Sequence, residues 1–152
     1  MKKQILTAVS VLGLITAITT PALCDELDTF VGKWTTEKKN NEGQRYTQQI
    51  EIKKNKFTFK ISDPEGQSRL YAEGDVKLEK AGPFKTIVFS NIKAGQSASE
   101  TDAIDDTYTS IYRLNDDGDL LLVTNFDKER DSQKPSLDIY HKTKAETKKA
   151  EK

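Results

Sequence analysis

The stretch from Arg45 to Ser62, RYTQQIEIKKNKFTFKIS, alternates with a period of two. Tyr46, Gln48, Ile50 and Ile52 fall on one side, and Thr47, Gln49, Glu51 and Lys53 on the other, which is the pattern of a strand with one wet face. Lys54-Asn55 leaves room only for a tight turn. Beyond it Phe57, Phe59 and Ile61 alternate with Thr58, Lys60 and Ser62, so the two runs pair as an antiparallel hairpin with a single apolar face.

The same grammar continues on both sides. Asp63-Pro64-Glu65-Gly66 is a turn, with Pro and Gly where their φ preferences help. Leu70, Ala72, Val76 and Leu78 mark a long strand that bends near Gly74, where no Cβ obstructs a kink. Ala81-Gly82-Pro83 breaks the chain before the β-rich run from Lys85 to Ile92. From Lys93 to Asp106 the residues are mostly small or acidic, and the expectation is the longest loop. Tyr108 to Leu114 is the next strand, pointing Tyr108, Tyr112 and Leu114 inward. Asn115 to Asp119 then turns the chain into Leu120 to Phe126, and a polar loop leads to a last strand from Leu137 to His141.

With a first strand at Lys33 to Thr36 the count is eight, joined by short connections and without a helical period or an internal repeat. Eight sequential strands with one apolar face close edge to edge as an antiparallel up-and-down barrel, which leaves no edge unpaired. A two-sheet β-sandwich is the alternative fold. No Cys...Trp...Cys framework is present to favour it.

Composition narrows the rest. All twelve aromatics (six Phe, five Tyr, one Trp) lie after residue 24, as a chain that builds a core requires. Formal charge is balanced, 24 basic against 24 acidic residues, which removes the electrostatic basis for nucleic-acid binding. One Cys and one His exclude a disulfide framework and a four-ligand zinc site.

Residues 1–24 have the pattern of a signal peptide. Met1-Lys2-Lys3 is basic, and Ile5 to Ile18 is a charge-free run too short for a stable membrane span. Small residues place cleavage after Ala22 or after Cys24. The expected destination is the periplasm or the cell exterior, with a lipid anchor on Cys24 as the alternative. Residues 25–143 then form the domain, and 144–152 a disordered basic tail without large apolar residues.

Near the start of that domain stands Leu27-Asp28-Thr29-Phe30-Val31-Gly32-Lys33-Trp34. A short turn followed by Gly-x-Trp on the first strand resembles the lipocalin-like (calycin) barrels, especially the small exported bacterial domains of that type. The segment from Tyr108 to Phe126 is similar to the same families, so the likeness covers most of residues 27–143. It implies structural roles for Gly32 and Trp34, with Trp34 at the closed barrel end and an Arg from near the last strands lying across it; Arg130 is the candidate. It also implies a small hydrophobic ligand inside the barrel, with Tyr46, Ile50, Phe57, Phe59 and Tyr112 as ligand-binding lining. The competing expectation is a barrel filled by these same side chains, serving as a cell-envelope interaction or stress protein.

Other motifs fail on their chemistry. An EF-hand loop beginning at Asn115 would need Gly and Glu where Leu120 and Phe126 stand. Asp102, Asp105 and Asp106 read as a solvated loop, and His141 has no Cys or second His to work with. No Gly-rich phosphate loop or Gly-x-Ser-x-Gly is present. The expectation is a monomeric binding protein, not an enzyme, with no metal and no cofactor.

Overall fold

The computed structural model describes residues 26–127 and 134–143. The expected signal peptide at 1–24 with Cys24, the expected tail at 144–152, and Arg130 lie outside them. A 3-10 turn (Asp28–Phe30) leads into β1 (Gly32–Lys39), β2 (Arg45–Lys53), β3 (Lys56–Ser62), β4 (Ser68–Ala81), β5 (Phe84–Ser97), β6 (Glu100–Ile104), β7 (Tyr108–Leu114), β8 (Leu120–Thr124) and β9 (Ser136–Lys142). Strands β1 to β5 pair in sequence, β5 pairs β7, and β7, β8 and β9 continue round to β1, all antiparallel. This is a closed eight-stranded up-and-down barrel, and the sandwich alternative is not formed.

The hairpin that set the expectation is formed, with Ile50 opposite Phe59 and Ile52 opposite Phe57. The interior begins there. Ile50, Ile52 and Phe57 join Phe30, Trp34, Val76, Leu78, Ile87, Phe89, Leu120 and Leu122 in one buried cluster. Each such side chain contributes ~1.5–3 kcal/mol when fully buried.

The expected long loop at Lys93 to Asp106 is instead a β-hairpin. β5 has 14 residues and its neighbour β7 only 7, so the far half of β5 would leave its backbone groups unpaired. β6 takes that edge, pairing from Ile92↔Ile104 to Ser97↔Glu100, while β7 pairs Thr86 to Phe89. Backbone accounting built this strand where side-chain hydropathy gave no signal. The expected bend at Gly74 is present: the β4–β5 register shifts there, and a Cβ would stand 2.5 Å from the Ser90 carbonyl oxygen.

Candidate functional site

The two barrel ends differ. At one, the chain enters through Glu26 to Val31 and leaves through Lys142 and Thr143. The Glu26 carboxylate is 2.6 Å from Lys85 Nζ, and Lys142 Nζ donates to the Thr29 carbonyl at 3.2 Å, so the entering segment lies between β5 and β9. Phe30 and Trp34 plug this end at 0% and 1% exposure, and Trp34 Nε1 donates to the Phe30 carbonyl at 2.8 Å. Phe30 meets Tyr112 edge to face at 4.9 Å. The Tyr112 hydroxyl is buried without a hydrogen bond of ordinary geometry; burial first, and the nearby Glu26 carboxylate second, push its pKa well up.

The cation over Trp34 is Lys142, whose Nζ is 5.0 Å from the ring centroid. It fills the place that the resemblance gave to Arg130, which is outside the described residues. Gly32 has φ +131, and an added Cβ would lie 3.0 Å from Lys142 Cε. The Gly-x-Trp spacing therefore leaves a path for the lysine stem over the indole.

At the other end the inward-facing residues change in kind. Thr36, Ala72, Ala94 and Ser110 are small, and the apolar Phe59, Ile61 and Leu70 share the inward face yet stay partly accessible. Tyr108 has the expected inward parity, but it stands at this mouth and is 42% exposed, not buried in the core. Two polar pairs lie on the inward face of this half. Lys38 Nζ and Asp138 Oδ1 pair at 2.5 Å with the carboxylate largely buried, and the Tyr140 hydroxyl donates to Gln48 Oε1 at 2.9 Å. Burial, then the charge of Asp138, then Tyr46, raise the Tyr140 phenol well above its usual range.

On the rim, a cleft of about 410 Å³ lies between the β1–β2 and β3–β4 turns, lined by Asn40, Gln44, Arg45, Tyr46, Asp63, Pro64, Glu65 and Arg69. Its walls are fixed from within. Asn40 Oδ1 accepts from the Gln44 amide at 2.9 Å, and Asp63 accepts from the Gln67 amide at 2.8 Å while pairing with Arg69 at 2.7 Å.

The five expected lining residues therefore separate by depth. Ile50, Phe57 and Tyr112 are 5–6% exposed in the packed core, Phe57 edge-on to Phe89 at 4.8 Å. Phe59 sits on top of that core, and Tyr46 is at the rim cleft. Lys38, Asp138 and Tyr140 were not singled out from sequence. Their signal was parity: Trp34↔Lys142 pairing sends Asp138 and Tyr140 inward and leaves the apolar Leu137 and Ile139 outside, 56% and 43% exposed.

Among the described residues, no three His, Cys, Asp or Glu side chains converge as metal ligands, and no helix is long and apolar enough to cross a membrane. No protein-family model, curated protein or solved structure matches the chain. Its functional reading rests on its own residues.

Proposed function

We propose that this chain is an exported lipocalin-like barrel that binds a small hydrophobic molecule with a polar head in the open half of its interior. One observation carries the reading: Phe59, Ile61 and Leu70 point inward yet remain accessible, on the same inward face as the pairs Lys38–Asp138 and Tyr140–Gln48. An apolar concavity with a few fixed polar groups is the usual form of a small-molecule site. The ligand's chain would lie on Phe59, above the packed floor of Ile50, Phe57 and Tyr112. Its head would meet Lys38, Gln48 and Tyr46. The role is binding without catalysis.

A thermal-shift screen with fatty acids, isoprenoids, haem and aromatic metabolites tests this. A ligand at 100 times its dissociation constant adds ~2.7 kcal/mol of stability, which a melting scan resolves. Phe59→Ala should weaken the shift. If no compound shifts the melting temperature, the ligand reading fails and the interaction reading replaces it. That second reading has its own observation in Leu137 and Ile139, which leave apolar side chains on the outer wall.

Export belongs to the same proposal, through the leader at 1–24. Intact mass of the protein from its host should show a start after Ala22 or Cys24. A lipid on Cys24 would make the chain membrane-anchored, and an uncut Met1 species in the cytoplasm would overturn export.

A further inference from the structure

We infer that the outer wall formed by β7, β8 and β9 is the interface of a twofold dimer, so that the partner it fits is a second copy of this chain. The register of the three strands assembles one apolar patch there. Ile111 stands opposite Val123 and Val123 opposite Leu137, which makes one row across the wall; Leu121 opposite Ile139 makes the next. Leu137 and Ile139 are exposed, the other three are half-buried, and no charged residue stands among the five. A single apolar residue on a surface needs no explanation, but five neighbours spread over three strands mark an interaction face.

Charge at the two flanks selects the occupant. On the β7 side Arg113 stands opposite Leu121. On the β1 side Thr35 faces His141, and the same register carried two residues on sets Glu37 beside Ile139. The second row therefore reads Arg113, Leu121, Ile139, Glu37, with a cation at one end and an anion at the other. Both are exposed and make no ion pair among the described residues. A twofold axis lying in the face, along the line between β8 and β9, exchanges the two ends of each row. It brings Arg113 of each copy to Glu37 of the other, and lays Leu121 on Ile139 and Val123 on Leu137. Asp119, 2.8 Å from its own His141, meets the His141 of the other copy, and the stem of Lys39 comes over Ile111, so no like charges are forced together. A partner with charge of one sign would satisfy only one flank. The barrel wall is convex and confines the contact to these strands, so association is weak, with a dissociation constant on the order of 10 μM. Neither end of the barrel is covered. The dimer thus gives the interaction reading its partner, leaves the ligand reading untouched, and departs from the monomer expected from sequence.

Sedimentation equilibrium of the protein as its host releases it, from well below to well above that concentration, should show a reversible monomer–dimer equilibrium. Ile139→Lys should weaken it by about tenfold or more, since it buries two unpaired charges in the patch. Arg113→Glu and Glu37→Arg should each weaken it by about tenfold, because each makes both flank contacts repulsive. Mixed in equal amounts, these two single variants should regain the parent's affinity as a heterodimer, in which both flank contacts again join opposite charges. Ile104→Ser, at a similarly exposed apolar residue on β6, should change nothing. Melting temperatures of the variants confirm that each is folded. A chain that stays monomeric over the whole range overturns the proposal. So does a dimer that Ile139→Lys leaves intact, which would lie on another face, and so does a mixture of the two charge variants that fails to associate, which would exclude this axis. The ligand-induced thermal shift reads the barrel interior instead, so the two readings can fail separately.

Discussion

Lys142 lies over Trp34 across the seam where the last strand meets the first, its ammonium 5.0 Å from the ring centroid. This seam is the narrowest pairing in the ring, only Trp34↔Lys142 and Thr35↔His141, with one further bond from the Thr143 amide to the Lys33 carbonyl at 2.8 Å. Side chains must therefore hold what few backbone bonds can. The indole fills the barrel end, the lysine stem covers its face, and Lys142 Nζ ties the entering segment through the Thr29 carbonyl.

Trp34→Ala should cost ~3–5 kcal/mol, as for a buried aromatic whose site cannot collapse, and lower the melting temperature sharply or prevent folding. Lys142→Ala should cost only ~0.5–2 kcal/mol, the scale of one cation–π contact. Denaturant titration of both variants checks the ranking. Equal losses would mean that the lysine, not the indole, governs closure.

Phe57 and Phe59 are two residues apart on one face of β3 but should answer to different measurements. Phe57 packs on Phe89 in the core, so Phe57→Ala should lose ~3–5 kcal/mol of stability. Phe59 is only partly buried, so Phe59→Ala should keep most stability and instead lose the ligand-induced thermal shift. If Phe57→Ala melts like the parent, the floor of the barrel is not packed as described.

Strand parity made the hairpin from Arg45 to Ser62 legible, because alternation states directly which face is dry. It also placed Ile50, Phe57 and Tyr112 inside. What it could not supply was depth along the barrel: parity treats Tyr108 and Tyr112 alike, whereas one stands at the mouth and the other against Phe30. β6 was hidden for another reason. Its sequence, ETDAI, carries no dry face, and its existence follows from the unpaired half of β5. In β9 the apolar residues even point the wrong way, since the register at Trp34 outweighs the preference of Leu137 and Ile139.

Tyr112→Phe should be neutral or slightly stabilising. Its hydroxyl is buried without a hydrogen bond of ordinary geometry, so deletion removes a desolvated group and keeps the ring on Phe30. A clear loss in denaturant midpoint would show that the polar contact with Glu26 holds the entering segment.

Tyr71 gives a pH signature. It is buried on the outer wall, donates to Glu73 Oε2 at 2.7 Å and lies beneath Lys60 Nζ, 5.7 Å from the ring centroid. Burial, then the bond to Glu73, push its pKa from 10.0 to about 12. A raised pKa means that the folded state holds the proton more tightly, so this stability is present below pH 10 and lost as pH rises towards 12. Unfolding curves across that window should show a smaller alkaline loss in Tyr71→Phe than in the parent. Identical slopes would remove Tyr71 from the account.

Gly95 should be the residue on which β6 depends. It faces Thr101 across the β5–β6 pairing, next to a register shift, and a Cβ there would come 1.7 Å from the Glu100 carbonyl oxygen and 2.8 Å from its carbon. Those are backbone atoms, which cannot rotate aside as a side chain would, so Gly95→Ala must push β6 off the edge of β5. The ring itself should survive, because β6 is outside the eight strands that close it and holds none of the buried cluster. The expected cost is ~1–3 kcal/mol, as for an overpacked site, with the damage confined to one hairpin. Hydrogen exchange separates local from global loss: amides of β6 and the far half of β5 should exchange much faster, while those of β2 and β3 keep their protection. Unchanged protection of β6 in Gly95→Ala would show that the close approach at Glu100 is not a property of the folded protein.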